Sequence, residues 1–593
     1  MTRTRITIRY DGGTSGTGPL TFGQDNMIRC IRQDQPDQIN KQGTWPVPDT
    51  ADLPAALAAL RTLAERHQTL RTVFPAAPDD PGGFPVRQEV RAEGEFTVEA
   101  IETDLTDDLE LDLLADELGR ASNALPFDLA VDFPLRCTLL TRRGQLLRLI
   151  VAVCHAAADG AATALLVQEW ALLAAGKELP PVSSRTPLQV AEAERTRQGL
   201  RRARTSLRHW ERILRTGPHA VFADSRLTGP PSPVSVLIAR SRTGAEALDA
   251  ASRRTGATPS TVLLAAFAAL AAYRAAQPGL VIAALSANRH RPGLADHVGT
   301  IAQDGLLSLD AGAADLDELI GRTKAASMAG FLNSTFDAEK IWQMIEDTAH
   351  LRGARFARHI VVNDLSLTIP DEVFEARPAP TADPEISWFP DEPVPARLMF
   401  NILRVPGRLE FALLSCPQVL DRAEAEEFVR GLLAIVRQAA HGPVPLAGLG
   451  GLTRLSPGVR AGDWQQHDNS WIDLDAVRAL LAGALGGVTG GSRVRIEGGR
   501  LVARIAYHAA AGAGEDPELI PQRVHRAVMA ALPQHETAMA PQHYLIHGRA
   551  DPGGRPPGPP EPSEPSDDWE RLPVLAEGSG RDPGVPDWQA LLA

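Results

Sequence analysis

The stretch VAVCHAAADG, residues 151–160, ends an apolar run in a histidine and sets an aspartate four residues beyond it. An imidazole changes its protonation near neutral pH, so His155 is a candidate general base or hydrogen-bond partner for a nucleophile. After Asp159-Gly160 comes AATALLVQEWALLAAG, in which Leu165, Leu166, Trp170 and Leu173 recur at helical spacing and Asp159 stands where a cap belongs. Upstream, Leu135 to Thr141 and Leu146 to Cys154 read as strands joined by a turn at Arg143-Gly144. His155 therefore sits at a strand–loop–helix junction. Such junctions hold reactive side chains at the edge of a cleft on a rigid base.

The rest of the chain is long enough to build that base. Its 593 residues, 44% apolar with a formal net charge of -13, suit several folded domains. Its start, MTRTRITIRYDGG, has basic residues without an apolar stretch behind them, so no secretory signal is expected. The run TVLLAAFAALAAY, Thr261 to Tyr273, falls short of the roughly 20 apolar residues of a membrane span and reads as a buried helix. Cys30, Cys137, Cys154 and Cys416 lie far apart, which signals neither disulfides nor a zinc site. A cytoplasmic protein without membrane contact is expected. The acidic balance argues against nucleic acid, although the helix Arg195 to Arg215 is basic enough to attract an acidic partner.

The chain resembles the condensation domains of non-ribosomal peptide synthetases, in the chloramphenicol-acetyltransferase-like superfamily. CHAAADG is similar to the family signature HHxxxDG, with Cys154 in place of the first histidine. PLTFGQDNMI resembles the opening motif around Gln24, and RHQTLRTVF the RHExLRTxF element, with Gln68 for the usual Glu. ANRHRPGL resembles the NRxR element, and DHVGTIAQDGLLSL the VGxFVNTL crossover, diverging at Ile301 to Gly305. The similarity runs collinearly over roughly residues 15 to 440.

The resemblance implies an α/β fold of two similar lobes forming a V-shaped pseudo-dimer, with His155 in a central tunnel. The lobes are expected at 1–185 and 186–448. It also implies amide formation from a phosphopantetheine thioester on an acyl or peptidyl carrier protein, met in trans, and an amine that is free or carrier-bound. No cofactor or metal is bound in this reading. His155 acts as base or positioning group, and Asp159 pairs with an arginine, either Arg71 or Arg289. Cys154 packs, and Gly160 leaves room for the thioester arm. Two alternatives belong to the same resemblance: ester formation or acyl transfer from coenzyme A, and a non-catalytic recruitment platform.

Beyond a glycine-rich joint, residues 455–548 resemble a reduced carboxy-terminal subdomain of adenylation domains, without the ATP-binding subdomain or the NGK lysine. Leu474, Val477, Leu480, Leu481 and Leu485 are at helical spacing there. This module is expected to pack on the second lobe. Residues 549–593 read as a Pro-rich linker and tail, mobile and extended, with Trp569 and Trp588 near a frayed end.

Overall fold

The computed structural model describes residues 1–592 apart from 78, 81, 228–232, 357, 369–381, 406, 487–488, 508–518 and 549–566. The first lobe contains strands β1 (Thr2–Asp11), β2 (Gly16–Pro19), β3 (Lys41–Trp45), β4 (Thr72–Val73), β5 (Arg87–Val90), β6 (Glu93–Glu102), β7 (Leu135–Arg142) and β8 (Gln145–Val153). Its main sheet has the order β1-β6-β7-β8-β3, parallel only between β6 and β7. The β7–β8 hairpin turns at Arg143 and Gly144, whose φ angles of 52° and 83° suit a tight turn that follows the twist of its strands.

Two helices cover one face of this sheet, each burying a stripe rich in small residues. In Leu53–Arg66 the buried side chains are Ala56, Ala59, Leu60, Leu63 and Ala64, while Leu53 and Leu57 reach only the margin of the core. In Gly160–Ala174 they are Ala162, Leu166, Trp170 and Ala174. Small residues let both helices lie close to the strands, and the large leucines beside them fill the flanks. Asp52 caps the Leu53–Arg66 helix, accepting from the Ala55 N–H at 2.9 Å.

The second lobe holds β9 (Val234–Ser241), β10 (Gly279–Ser286), β11 (Gln303–Asp310), β12 (Ile360–Asp364), β13 (Glu385–Glu392), β14 (Leu398–Arg404) and β15 (Leu409–Ser415). Their order is β11-β10-β12-β14-β15-β9-β13. The alanine-rich helix Pro259–Ala275 is buried nearly all round in this lobe's core, with Phe267 stacked on Phe400 at 4.7 Å. No single helix among the described residues is long and apolar enough to cross a membrane. The helices Pro187–Glu194 and Arg197–Thr216 lead from one lobe to the other.

The glycine-rich joint is pinned to the second lobe: the Leu316 N–H donates to the Val444 carbonyl at 2.9 Å and the Leu446 N–H to the Ala314 carbonyl at 3.1 Å. It leads to a module with β16 (Trp464–His467), β17 (Ser470–Asp473), β18 (Thr489–Glu497), β19 (Arg500–Tyr507), β20 (His543–His547) and β21 (Val574–Gly578). Leu474, Val477, Leu480, Leu481 and Leu485 all enter its core, which also takes in Ala354 of the second lobe.

The tail differs from the expected mobile extension. Its Pro-rich segment, 549–566, lies outside the described residues, but β21 completes the module's sheet against β20. The helix Trp588–Leu592 returns to the second lobe, where Leu592 joins Leu207, Trp210 and Ile213 and the Trp588 indole donates to Asp347 at 2.8 Å. Leu592 and Trp588 are enough to seat this end of the tail, because they meet a prepared apolar surface. The basic helix is partly taken by this contact: Arg204 and Arg208 donate to the carbonyls of Leu591 and Leu592.

Candidate active site

His155 follows β8 through Cys154, and the chain turns at once, with the N–H groups of Ala157 and Ala158 donating to the Cys154 carbonyl at 3.0 and 3.3 Å. Two hydroxyls fix the turn from opposite sides. Thr69 of the first lobe donates to the Ala157 carbonyl at 2.6 Å, and Thr300 of the second donates to the His155 carbonyl at 2.6 Å. The seam is close here: a Cβ on Gly23 would come within 2.5 Å of the Thr300 carbonyl, so glycine is what this approach admits.

The imidazole of His155 is half-buried, and its Nδ1 has no hydrogen-bond partner. Burial pushes it down to about 4; the Lys41 cation acts in the same direction and Asp159 opposes both. It is therefore neutral at physiological pH.

Lys41 was not found by reading motifs. It opens β3 directly opposite Val153, two residues before His155. It makes no hydrogen bond or ion pair among the described residues. Burial holds its ammonium below the ordinary lysine value, against the influence of Glu392 on β13. The side chain keeps accessible surface, so the crowding is that of a cleft wall and not of a closed core. Only the pairing of β3 with β8 reveals this residue, and that pairing spans more than a hundred positions of sequence.

Asp159 has both predicted roles. Its Oδ1 caps the Gly160–Ala174 helix by accepting from the Ala162 N–H at 2.9 Å, and Arg289 pairs with it at 2.8 Å. Oδ2 accepts from the N–H groups of Ile301 and Ala302, both at 3.0 Å. Burial alone would raise this carboxyl; Arg289 and the N–H donors outweigh burial and hold it below the usual value. Arg289 spends its other donors on the carbonyls of His297, Gly299 and Ala287. Asp159 thus ties the His155 turn to the crossover loop of the other lobe.

Arg71, the other candidate partner, does not reach Asp159. Its guanidinium is directed instead to the carbonyls of Ala64, Thr14 and Arg91, against which Gly12 packs. A guanidinium has five donors, and here a crossing of three backbone segments takes them. Cys154 lies among Leu20, Ile28, Phe74 and Phe127, and burial pushes its thiol up to about 11, which leaves it inert packing. A Cβ on Gly160 would meet nothing within 4 Å. Gln24 caps its own helix with Thr21 and donates to Gln88, so it supports the seam without facing the imidazole.

Residues 20–444, most of the chain, match the profile of the Condensation domain family. The chain belongs to that family. Condensation domains are acyl or peptidyl transferases that form amide bonds. This condensation domain is similar to the phosphinothricin tripeptide synthetase PhsC of Streptomyces viridochromogenes, 31% identical over 306 residues, a match covering 48% of this chain and 27% of that protein. The chain therefore spans only about a quarter of that relative's length. Among solved structures it resembles the condensation domain of the monacolin K polyketide synthase MokA, with a TM-score of 0.58 and 17% identity over 73% of this chain and 99% of that one. It is also similar to the first condensation domain of the calcium-dependent antibiotic synthetase, solved with a substrate analogue, with a TM-score of 0.56 and 17% identity over 72% and 98% of the two chains. These likenesses establish the two-lobed, chloramphenicol-acetyltransferase-like fold of the condensation domain.

Proposed function

We propose that this chain joins an acyl or aminoacyl group, held as a phosphopantetheine thioester on a carrier protein, to an amine brought to His155. The observation that carries the reading is a neutral, only half-buried imidazole on a turn clamped by hydroxyls from both lobes. The amine nitrogen attacks the thioester carbonyl carbon; the new C–N bond forms, the C–S bond breaks, and the thiol leaves on the phosphopantetheine with the proton the amine gives up. A thioester is already activated, so approach and orientation supply most of the rate.

The value of about 4 for His155 bears on its role. General bases work best with a pKa near the operating pH, so this ring is poorly matched to full proton removal and well matched to accepting a hydrogen bond from the attacking N–H. Lys41 is proposed to place positive charge beside the developing oxyanion. The open space at Gly160 supports an approach for the thioester arm.

We further assign residues 1–185 and 186–448 to the two condensation lobes, with carrier proteins met in trans. Residues 455–548 are read as a degenerate adenylation-type subdomain that has lost ATP chemistry.

The test is an intact-mass assay with loaded carrier proteins and amine acceptors. His155→Ala should lose at least about a hundredfold in turnover while keeping its melting temperature and carrier affinity. Near-normal turnover by the folded variant would overturn the assignment. A product cleaved by hydroxylamine would move the reaction to hydroxyl acceptors and esters.

A further inference from the structure

Asn288 stands two residues beyond the end of β10, buried, with a φ of 55°. Most side chains resist that left-handed region; glycine enters it freely, and asparagine is among the few others that do so readily. Glycine would therefore satisfy the backbone alone. The amide is what asparagine adds.

Every polar group of that amide is engaged. Nδ2 donates to the carbonyls of Ile301 at 3.0 Å and Ser334 at 3.1 Å. Oδ1 accepts from the Ser286 hydroxyl at 3.2 Å, and the Ser334 hydroxyl lies 2.7 Å from it. Ser286 ends β10 and Ser334 follows the helix Leu316–Leu332, so both anchors belong to the frame of the second lobe. Ile301 belongs to the crossover loop, where its N–H is spent on Asp159 and its carbonyl on Asn288. The preceding residue, Thr300, donates its hydroxyl to the His155 carbonyl, and its own carbonyl accepts from Thr21 of the first lobe. Arg289 holds the earlier part of the loop through the His297 and Gly299 carbonyls, and Asn288 holds the later part. The Asn288 anchor and the clamp on His155 are thus on consecutive residues.

We infer that Asn288 is a positioning residue for His155, acting through Ile301 and Thr300. It refers the loop to the second lobe's frame, so that Thr300 holds the His155 turn in place instead of following it. The consequence for turnover rests on the amide-forming reading above; the consequence for the turn does not.

The experiment compares two variants of the full chain. Asn288→Gly keeps the left-handed backbone and removes the amide, whereas Asn288→Asp keeps the shape and sets a carboxylate oxygen against two carbonyls. Hydrogen exchange read by mass spectrometry comes first, because it needs no substrate. Both variants should exchange about threefold faster or more over residues 155–162, as well as over 286–291, through local opening. Acceleration confined to 286–291, or none at all, would overturn the inference and leave the amide a stabiliser of its own bend. Turnover is then measured well below each melting temperature. Asn288→Gly should lower kcat about 10- to 100-fold with KM for the loaded carrier nearly unchanged, as misplacement remote from the chemistry does. Thr300→Val should lower it comparably, and the double variant should fall no further than the worse single one. Additive losses would overturn the route through Thr300. Absence of product from the unaltered chain would refute the amide-forming reading instead, and the exchange result alone would then decide the role of Asn288.

Discussion

Replacing Asp159 by alanine is expected to be a structural lesion first and a catalytic one second. Asp159 is 1% exposed and serves Arg289, the cap N–H of Ala162, and the N–H groups of Ile301 and Ala302. Breaking a buried pair by removing one partner costs about 3–5 kcal/mol because the other charge is stranded. Loss of the cap adds about 1 kcal/mol. For a lobe of this size each kcal/mol lowers the melting temperature by about 2–4 °C, so a fall on the order of 8–24 °C is expected. Arg289 should soften the blow, since its three carbonyl contacts survive, and the lower half of that range is the better expectation. The carboxyl's folded value is depressed, so its contribution is fully present above the unfolded value and is lost only as the pH falls through the folded one. The measurement is thermal unfolding at neutral pH beside the condensation assay. An unchanged melting temperature with lost activity would refute the reasoning and place Asp159 in the chemistry itself.

Three further outcomes follow from the same geometry. Gly160→Val should fold normally, since its side chain starts in open space, but should slow turnover if the thioester arm passes there; unchanged turnover on loaded carriers would remove that role. Stability should fall as the pH drops below about 6.5, because His155 and His297 stay neutral in the folded protein to about 4, and His219 and His525 to about 3, while the unfolded chain takes up protons near 6.5. Melting curves flat between pH 6.5 and 4 would contradict the buried, neutral state of these rings. Truncation after Gly548 removes β21 and the Trp588–Leu592 helix, so it should lower the melting temperature and uncover Trp210, read as a change in its fluorescence. A truncated protein with unaltered melting would show these contacts to be idle.

What could be read from sequence was what local pattern determines. The Arg143-Gly144 turn, the Asp52 and Asp159 caps and the apolar face of Leu474–Ala484 each depend on neighbours within a few residues. Choosing Arg289 over Arg71 did not depend on such neighbours. Both are arginines in recognisable elements, and a guanidinium accepts whatever carbonyls or carboxylates the fold brings to it, so only the three-dimensional crossing of Ala64, Thr14 and Arg91 settles Arg71 elsewhere. Lys41 is a sharper case. Alone on a short polar strand it resembles an ordinary edge lysine, and it gains meaning because β3 lies beside β8. The tail was misjudged for a related reason: composition counts apolar residues, but burial depends on whether a receptive surface awaits them.

These contacts also show how the site depends on the lobes being docked. The His155 carbonyl is held by Thr300, and Asp159 by Arg289, Ile301 and Ala302, all from the second lobe, while Thr69 holds Ala157 from the first. If the lobes separated by even a few ångströms, the Thr300 bond and the Asp159 contacts would fail together, since all of them cross the same seam. The cost would exceed that of any one contact, because Asp159 and Arg289 would lose their charge partner in the same event as the two N–H bonds to Asp159. The imidazole is therefore placed by the interface and not by its own strand alone. A substitution at Gly23, where an added Cβ would come within 2.5 Å of the Thr300 carbonyl, should consequently disturb His155 through the Thr300 clamp, read as lost turnover.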